Sequence, residues 1–236
     1  MQKIKLALLG TGKTGGEVLK LLKKRRDVDL EVFNSKNKLT KKVLKNFYAI
    51  VVFLPGDVFL NYLPILRGSG ICVISGCTGF IYPENFNEEC EENKQIWVQA
   101  NNFSLAMIFI KKALNALGEL QKIAPDYQYA LEETHHLSKK DKPSGTALNW
   151  KKWLGENFIE TQITSFRKDD IIGEHRLSLT SPFECIKLEH VAKDRGLFAK
   201  GAVWVLDAIM ADKKLPKKFY QFEEIVHYVL ETVPGK

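Results

Sequence analysis

The stretch GTGKTG, Gly10 to Gly15, constrains the fold more than any other part of this chain. It matches G-x-G-x-x-G, follows the apolar run Ile4 to Leu9 directly, and precedes Val18, Leu19, Leu21 and Leu22 at helical spacing. A run that is apolar at nearly every position reads as a strand buried on both faces, as parallel strands are. Glycines after such a strand let the backbone turn tightly and approach a pyrophosphate, whose charge then sits at the helix N-terminus. Strand, turn and helix in this order predict a dinucleotide-binding unit, with Gly10, Thr11, Gly12, Lys13, Thr14 and Gly15 as its loop.

The next hundred residues repeat the rhythm. Leu30 to Phe33, Tyr48 to Leu54, Ile71 to Ser75 and Ile96 to Ala100 read as further strands, with helices expected over Asp57 to Arg67 and Glu84 to Asn93. Alternation at this spacing predicts a parallel, doubly wound sheet. Ligands of open α/β sheets bind at the carboxyl ends of strands. Two turns lie there: SGCTGF, with Gly76, Cys77 and Thr78, and QANNFS, with Ala100, Asn101, Asn102 and Phe103. Cys77 has no histidine adjacent in sequence, so a packed or cofactor-facing thiol is expected rather than a nucleophile. The second strand runs into Asn34, Ser35, Lys36, Asn37 and Lys38, with no acid for a ribose 2′-hydroxyl, and Glu31 lies too early. Ser35 and Lys36 suit a 2′-phosphate, so NADPH is at least tolerated beside NADH; the other reading is an exposed basic loop.

After residue 102 the pattern changes. A helix over Leu105 to Leu117, ended by Gly118, precedes closely spaced strand-like runs at Gln128 to Leu131, Gln162 to Phe166, Arg176 to Thr180 and Cys185 to His190. Helices follow at Gly196 to Ala211 and Phe222 to Leu230. The fold class expected is therefore α/β: a Rossmann-type doubly wound parallel sheet plus a second α+β domain with a mixed sheet. The boundaries expected are 1–102 for dinucleotide binding and 103–211 for substrate binding and oligomerisation, with 212–236 returning to the first domain. Hinges are expected near Asn102 to Ser104 and after Asp212.

Composition narrows the function classes. The 35 basic and 28 acidic residues leave a formal charge of +7, which could serve nucleic acid, anionic lipid or acidic small molecules. No zinc finger, RNP-like aromatic pattern or basic helix accompanies it, so small anionic ligands are the better use. No apolar run reaches the length of a transmembrane helix, and the N-terminus lacks a signal-peptide cleavage site. The four cysteines are scattered, without CxxC spacing, which argues against a disulfide framework or a metal site and for a reducing, cytoplasmic setting.

ETHHLSKKDKPSGTA, Glu133 to Ala147, places two histidines, several lysines and a Ser-Gly-Thr turn together. Adjacent histidines point in different directions on any regular element, and Pro143 with Gly145 breaks periodicity. The stretch reads as a loop feeding a helix, where functional groups concentrate. It resembles the E-x-H-H-x-x-K-x-D-A-P-S-G-T-A signature of the dihydrodipicolinate reductase family. The other motifs agree in order: GTGKTG resembles the family's dinucleotide loop, SGCTGF its GTTGF, NNFS its ANFS, DIIGEH (Asp170 to His175) its DIVGEH, and FAKGAVWVL (Phe198 to Leu206) its F-A-x-G-A segment.

The resemblance spans essentially the whole chain. It implies NAD(P)H-dependent reduction of 4-hydroxy-tetrahydrodipicolinate to tetrahydrodipicolinate, in diaminopimelate and lysine biosynthesis. It assigns proton donation to His135 and Lys139, and substrate contacts to His136 and to Ser144, Gly145 and Thr146, whose unpaired first-turn amides suit a carboxylate. It also implies a homotetramer built through the second domain. That agrees with the expectation that the mixed sheet, with few helices after it, leaves an apolar face to be covered. Lys140 and Lys142 read as solvated, His175 and His190 as structural, and His227 as a surface residue. Three departures stand out: Lys142 in place of the family's alanine, a glycine loop one residue shorter, and Cys77 in place of a threonine, at the cost of a hydroxyl hydrogen bond. A cofactor-binding sensor would keep the glycine loops but lose the H-H…K or S-G-T elements, and a semialdehyde dehydrogenase would require a positioned cysteine. This chain meets neither description.

Overall fold

Continuous apolar runs near the N-terminus become the strands of a buried parallel sheet. The computed structural model describes residues 3–155, 159 and 161–232. Parts of the expected segments 1–102, 103–211 and 212–236 (residues 1–2, 156–158, 160 and 233–236) lie outside the described residues. The first elements are β1 (Ile4–Leu9), α1 (Lys13–Lys23), β2 (Val28–Phe33), α2 (Lys41–Leu44), β3 (Ala49–Val52), α3 (Gly56–Leu60), α4 (Leu63–Leu66), β4 (Cys72–Ser75), α5 (Phe86–Glu92) and β5 (Trp97–Gln99). Every residue of β3 and β4 is buried, as expected of strands covered on both faces. The single helix expected over Asp57 to Arg67 is two short ones, because Pro64 sits at the start of α4, where a proline is tolerated but cannot continue a preceding helix.

The chain then forms α6 (Leu105–Glu119), β6 (Gln128–His135), α7 (Gly145–Gly155), β7 (Ile163–Arg167), β8 (Glu174–Thr180), β9 (Cys185–Val191), α8 (Gly196–Ala211), β10 (Phe219–Gln221) and α9 (Phe222–Thr232). Gly118 does not end α6 but lies buried within its last turn. Two compact units result: residues 1–105 with 195–236, and residues 106–194. The return to the first unit falls at Arg195 rather than after Asp212. Helix α8 is therefore not in the second domain where the sequence reading put it. It packs along α1 and against β4, and Arg25 of the first unit's early chain pairs with its Asp207.

The first unit holds a six-stranded parallel sheet in the order β10-β5-β4-β3-β1-β2. Its sixth strand, β10, pairs with β5 through only Phe219 to Gln221 and carried no readable alternation. An aromatic core of Phe59, Phe86 and Trp97 fills one side, with Phe86 edge-on to Trp97 at 4.9 Å. The buried Gln95 amide donates to the Leu66 and Ile71 carbonyls at 3.0 and 2.7 Å and so ties the strand entry to the preceding loop.

The second unit holds a mixed sheet in the order β7-β6-β8-β9. Side chains alternate across it. One face carries Leu131, Leu177 and Leu179, packed with Met107 and Leu114 of α6 and Trp150 and Leu154 of α7. The other face was expected to be apolar, and it is not. Its outward positions include Gln128, Glu132, Arg176, Ser178, Lys187 and Glu189, with Arg176 bonded to Glu189 at 3.1 Å across the strands. Exposed Phe166 and Val191 are its main apolar members. The period-2 alternation of β6, β8 and β9 puts the leucines inward and the charges outward. Among the described residues, no helix is long and apolar enough to cross a membrane.

Candidate active site

The stretch expected to be a loop feeding a helix begins as strand, with the loop starting after His135 and α7 at Gly145. Strand β6 runs through His135, so Glu133 and His135, two residues apart, point to the same, helix-facing side of the sheet. Register completes the group. His135 lies opposite Arg167 on β7, Glu133 opposite Ser165 on β7 and His175 on β8, and His175 opposite His190 on β9. The half of this face beyond the leucines thus gathers two carboxylate oxygens, three imidazoles and a guanidinium.

Glu133, 1% exposed, is held at both oxygens. Oε1 accepts from Arg167 Nη1 at 2.9 Å, and Oε2 is hydrogen-bonded to His135 Nδ1. Burial alone would push the Glu133 carboxyl up, but neighbouring Ser165, Arg167 and His135 more than offset it and hold it below its ordinary value. Glu133 is therefore ionised, and its acceptor oxygen assigns the Nδ1 proton of neutral His135, leaving Nε2 as the nitrogen that exchanges a proton. Burial lowers the His135 pKa, Glu133 opposes that effect, and Lys139 and Arg167 add to it; the net shift is downward. Ligand atoms of Glu133, His135 and His175 lie within 4.8 Å of one another. Both oxygens of Glu133 are already committed to cationic or N–H partners, so this is a proton-handling arrangement rather than a cation-holding one.

Arg167 also buttresses the following loop, donating from Nε to the Lys139 carbonyl at 3.3 Å and from Nη2 to the Asp141 carbonyl. Lys139 Nζ pairs with Asp141 Oδ1 at 2.8 Å. The hydrogen bond from Lys139 holds the Asp141 carboxyl below its ordinary value, with the Gly145 amide contributing. His136 faces away from the sheet interior, its Nδ1 beside Ser138 Oγ at 2.9 Å. Ser144 caps α7, accepting the Ala147 amide at 3.1 Å, and Gly145 and Thr146 form the helix's first turn. The second unit therefore brings together His135, Lys139, Ser144, Gly145 and Thr146.

Sequence reasoning did not single out Arg167, Gly173 or His175 as site residues. Gly173 is placed so that a Cβ there would lie 2.9 Å from His135 Nε2. Glycine at this position leaves space beside Nε2 that a side chain would fill. His175, read as structural, stands between Ser144 and the Glu133 row. The cross-strand register that unites these residues is not visible in a one-dimensional pattern.

In the first unit, the glycine loop fits a dinucleotide. Gly10 has φ +96°, and a Cβ there would clash with the Phe53 carbonyl at 2.3 Å; one on Gly15 would meet the Gly10 carbonyl at 2.2 Å. Around Gly12 nothing lies within 4 Å, and α1 opens with no side-chain cap and no acid in its first turn. Tight turn, close helix packing and an open approach to free helix amides are what a pyrophosphate requires. Thr11, Gly12 and Lys13 are exposed and Thr14 half-buried. Beyond β2, Asn34 Oδ1 accepts the Lys36 and Asn37 amides at 2.9 and 3.1 Å and shapes a turn that presents Ser35 and Lys36 to solvent.

The remaining candidates divide. Gly76 follows β4, with Thr78 exposed beyond it, and Asn101 is exposed after β5. The Cys77 side chain is not exposed at all. Its Sγ accepts the Leu54 amide at 3.3 Å, and burial pushes the thiol up to about 11. Phe103 is also buried, against Phe222 at 5.1 Å, and Ala100 is 5% exposed. These three can offer a ligand little beyond backbone. Asn102 Oδ1 accepts the Ser104 amide at 2.8 Å.

The two units define a class: an oxidoreductase with a Rossmann-type unit and a separate mixed-sheet unit. Comparison with known proteins is more specific. The family model described as "Dihydrodipicolinate reductase, C-terminus" matches residues 104–226. The 4-hydroxy-tetrahydrodipicolinate reductase of Christiangramia forsetii is 31% identical over 84% of this chain and 89% of its own length. The reductase of the same name from Rickettsia africae is 29% identical over 91% and 95%. A dihydrodipicolinate reductase from Paenisporosarcina sp. TG-14, solved with dipicolinate bound, shares the fold at a TM-score of 0.73, covering 95% of this chain and 100% of that one at 16% identity. The chain belongs to the dihydrodipicolinate reductase family.

Proposed function

We propose that this chain catalyses the NAD(P)H-dependent reduction of 4-hydroxy-tetrahydrodipicolinate to tetrahydrodipicolinate. The reaction serves diaminopimelate and lysine biosynthesis. One observation carries the reading within the family: the ionised Glu133 fixes His135 with Nε2 as its proton-exchanging nitrogen, beside Lys139 and the N-terminus of α7. A bound nicotinamide supplies the hydride.

The chain's own groups do the rest. His135 Nε2, poised below the ordinary imidazole range, delivers the proton that accompanies reduction; a docked dicarboxylate adds negative charge nearby and favours the protonated ring. Lys139 leaves Asp141 to meet the substrate, because a substrate carboxylate is an equivalent partner for its ammonium. The α7 first turn, with Ser144, Gly145 and Thr146, holds a carboxylate through N–H and O–H donors at the positive end of the helix dipole. His136 contacts the other end of the substrate.

On the cofactor side, Gly10 to Gly15 cradle the pyrophosphate, while Gly76, Thr78, Asn101, Asn102 and the backbone at Cys77, Ala100 and Phe103 border the nicotinamide half. Ser35 and Lys36 favour NADPH at least as much as NADH. The four free thiols suit a reducing cytosol. Family resemblance supports a homotetramer through the second unit. Its exposed row of Glu132, Arg176 and Glu189, flanked by Phe166 and Val191, offers alternating charge that a symmetric copy can complement.

The roles are tested by His135→Gln and Lys139→Met. Each is expected to lower kcat about 10²- to 10⁴-fold while NADPH binding stays close to that of the parent. Wild-type turnover in either variant removes that residue from proton transfer.

A further inference from the structure

Ser144 carries one O–H and two lone pairs, and how they are shared decides what α7 can bind. The residue is 2% exposed. One lone pair accepts the Ala147 amide at 3.1 Å. The second neighbour is His175, whose Nε2 lies 3.2 Å from Ser144 Oγ. If the hydroxyl donates to this nitrogen, its only proton is spent and it presents lone pairs to an incoming anion. If the imidazole donates instead, both lone pairs are filled by N–H groups and the O–H is free for the anion.

The surroundings of His175 decide between the two. Its ring is 4% exposed and lies among Trp150 at 5.6 Å, His135 at 5.2 Å and His190 at 6.4 Å. Nδ1 is buried and has no hydrogen-bond partner among the described residues. A proton on Nδ1 would bury an unpaired N–H donor, whereas a proton on Nε2 leaves only an unpaired acceptor, the arrangement folded proteins tolerate better. Burial, reinforced by His135 and His190, holds the ring neutral by lowering its pKa to about 3, so only these two tautomers compete.

We infer that His175 is a positioning residue: its Nε2–H donates to Ser144 Oγ, which leaves the Ser144 O–H to donate to a substrate carboxylate at the first turn of α7. This rests on the reading of that turn as the carboxylate site. The strand register holds the imidazole in place, with His175 fixed opposite Glu133 and His190. Trp150 and Leu154 of α7 are fully buried against the same face. One ring thus links the proton-handling row of the sheet to the anion-binding end of the helix, and makes the serine a donor specifically.

The test uses dipicolinate as the probe, with its Kd measured by calorimetry on the full chain, alongside KM for the substrate. Ser144→Ala is expected to weaken dipicolinate about tenfold, the size of one hydrogen bond to a charged group. His175→Phe keeps the ring shape but no longer fixes the direction of the Ser144 O–H, and is expected to weaken dipicolinate measurably, by no more than the Ser144→Ala factor. The double variant should be no weaker than Ser144→Ala alone, because His175 acts on the ligand only through the serine hydroxyl. His175→Gln, whose amide nitrogen can reach the Nε2 position, should recover most of the loss. A multiplied effect of roughly a hundredfold in the double variant overturns the inference, as does wild-type affinity in His175→Phe. A His175→Gln variant as weak as His175→Phe also overturns it, since that pattern means ring packing alone matters. Unchanged affinity in Ser144→Ala overturns both this inference and the reading of α7 as the carboxylate site.

Discussion

Gly173→Ala offers a nearly pure test of how tightly the His135 ring must be placed. The residue precedes β8, and its carbonyl accepts the Ala192 amide at 2.9 Å, so its backbone is anchored in the sheet. Its φ is not in the left-handed region, so alanine fits the backbone there and costs no conformational strain. The added Cβ, however, would lie 2.9 Å from His135 Nε2 and 3.3 Å from Cδ2, against an ordinary contact of at least 3.4 Å. At Nε2 the shortfall is 3.4 − 2.9, or 0.5 Å. The imidazole cannot simply rotate away, because Nδ1 is tied to Glu133 and the ring stands edge-on to His175 at 5.2 Å. It must therefore shift by about half an ångström. Since a misplacement of about 1 Å can cost roughly 10²-fold in rate, half of it should cost about tenfold. Steady-state kinetics should show kcat reduced by about that factor, with NADPH affinity and the thermal unfolding transition little changed. Wild-type kcat would show that the reaction does not depend on where Nε2 sits, and the assignment of His135 would fall with it.

Glu133→Gln removes the negative charge that raises the His135 pKa, so the alkaline limb of the activity profile should move to lower pH by about one unit; an unmoved limb would mean that Glu133 does not govern His135. The same change leaves Arg167 without its ionic partner and should destabilise the protein by about 3 kcal/mol, measurable by urea unfolding. His175 stays neutral in the folded state to a pKa of about 3, against an ordinary value of 6.5. The unfolded chain therefore binds a proton that the folded chain does not between those values, and stability should fall on acidification from pH 6.5, by up to about 1.4 kcal/mol per pH unit. His175→Phe should flatten that slope in calorimetric melts, and an equally steep slope would assign it to other groups. Lys36→Ala should weaken NADPH about three- to tenfold and NADH little, and equal losses would show that this loop does not read the 2′-phosphate. Light scattering at micromolar concentration should give a mass near four times 26.9 kDa; a fully active monomer would remove the second unit's outer face as an assembly surface.

The parallel sheet was legible because β1, β3 and β4 are short and apolar at nearly every position, and β1 and β4 are followed directly by glycine turns, a pattern with few alternative meanings. Strand β10 was not, since Phe219 to Gln221 is too short to show a period and gains its place only by pairing with β5. The glycine at position 118 looked like a helix end because glycine is usually costly inside a helix; here it sits on the buried face of α6. In the second unit the outer face was expected to be apolar because few helices follow the strands to cover it, but the alternation of β6, β8 and β9 places Glu132, Arg176 and Glu189 there. His135 and Lys139 were legible through the motif around them. Arg167 and His175 were not, because they join the site only through the β6–β7 and β6–β8 registers, which depend on the whole sheet. Cys77 and Phe103 were placed correctly at strand ends, but packing turned their side chains into the core.

Substrate-dependent oxidation of NADPH is the most direct test of the proposed function. The purified chain would be given NADPH together with the freshly formed condensation product of aspartate semialdehyde and pyruvate, and the loss of the reduced-nicotinamide absorbance followed. The expected result is turnover only when all components are present, lowered about 10²- to 10⁴-fold by His135→Gln at unchanged NADPH binding. NADPH binding without any such turnover in the parent protein would contradict it and make the chain a cofactor-binding relative without the reaction.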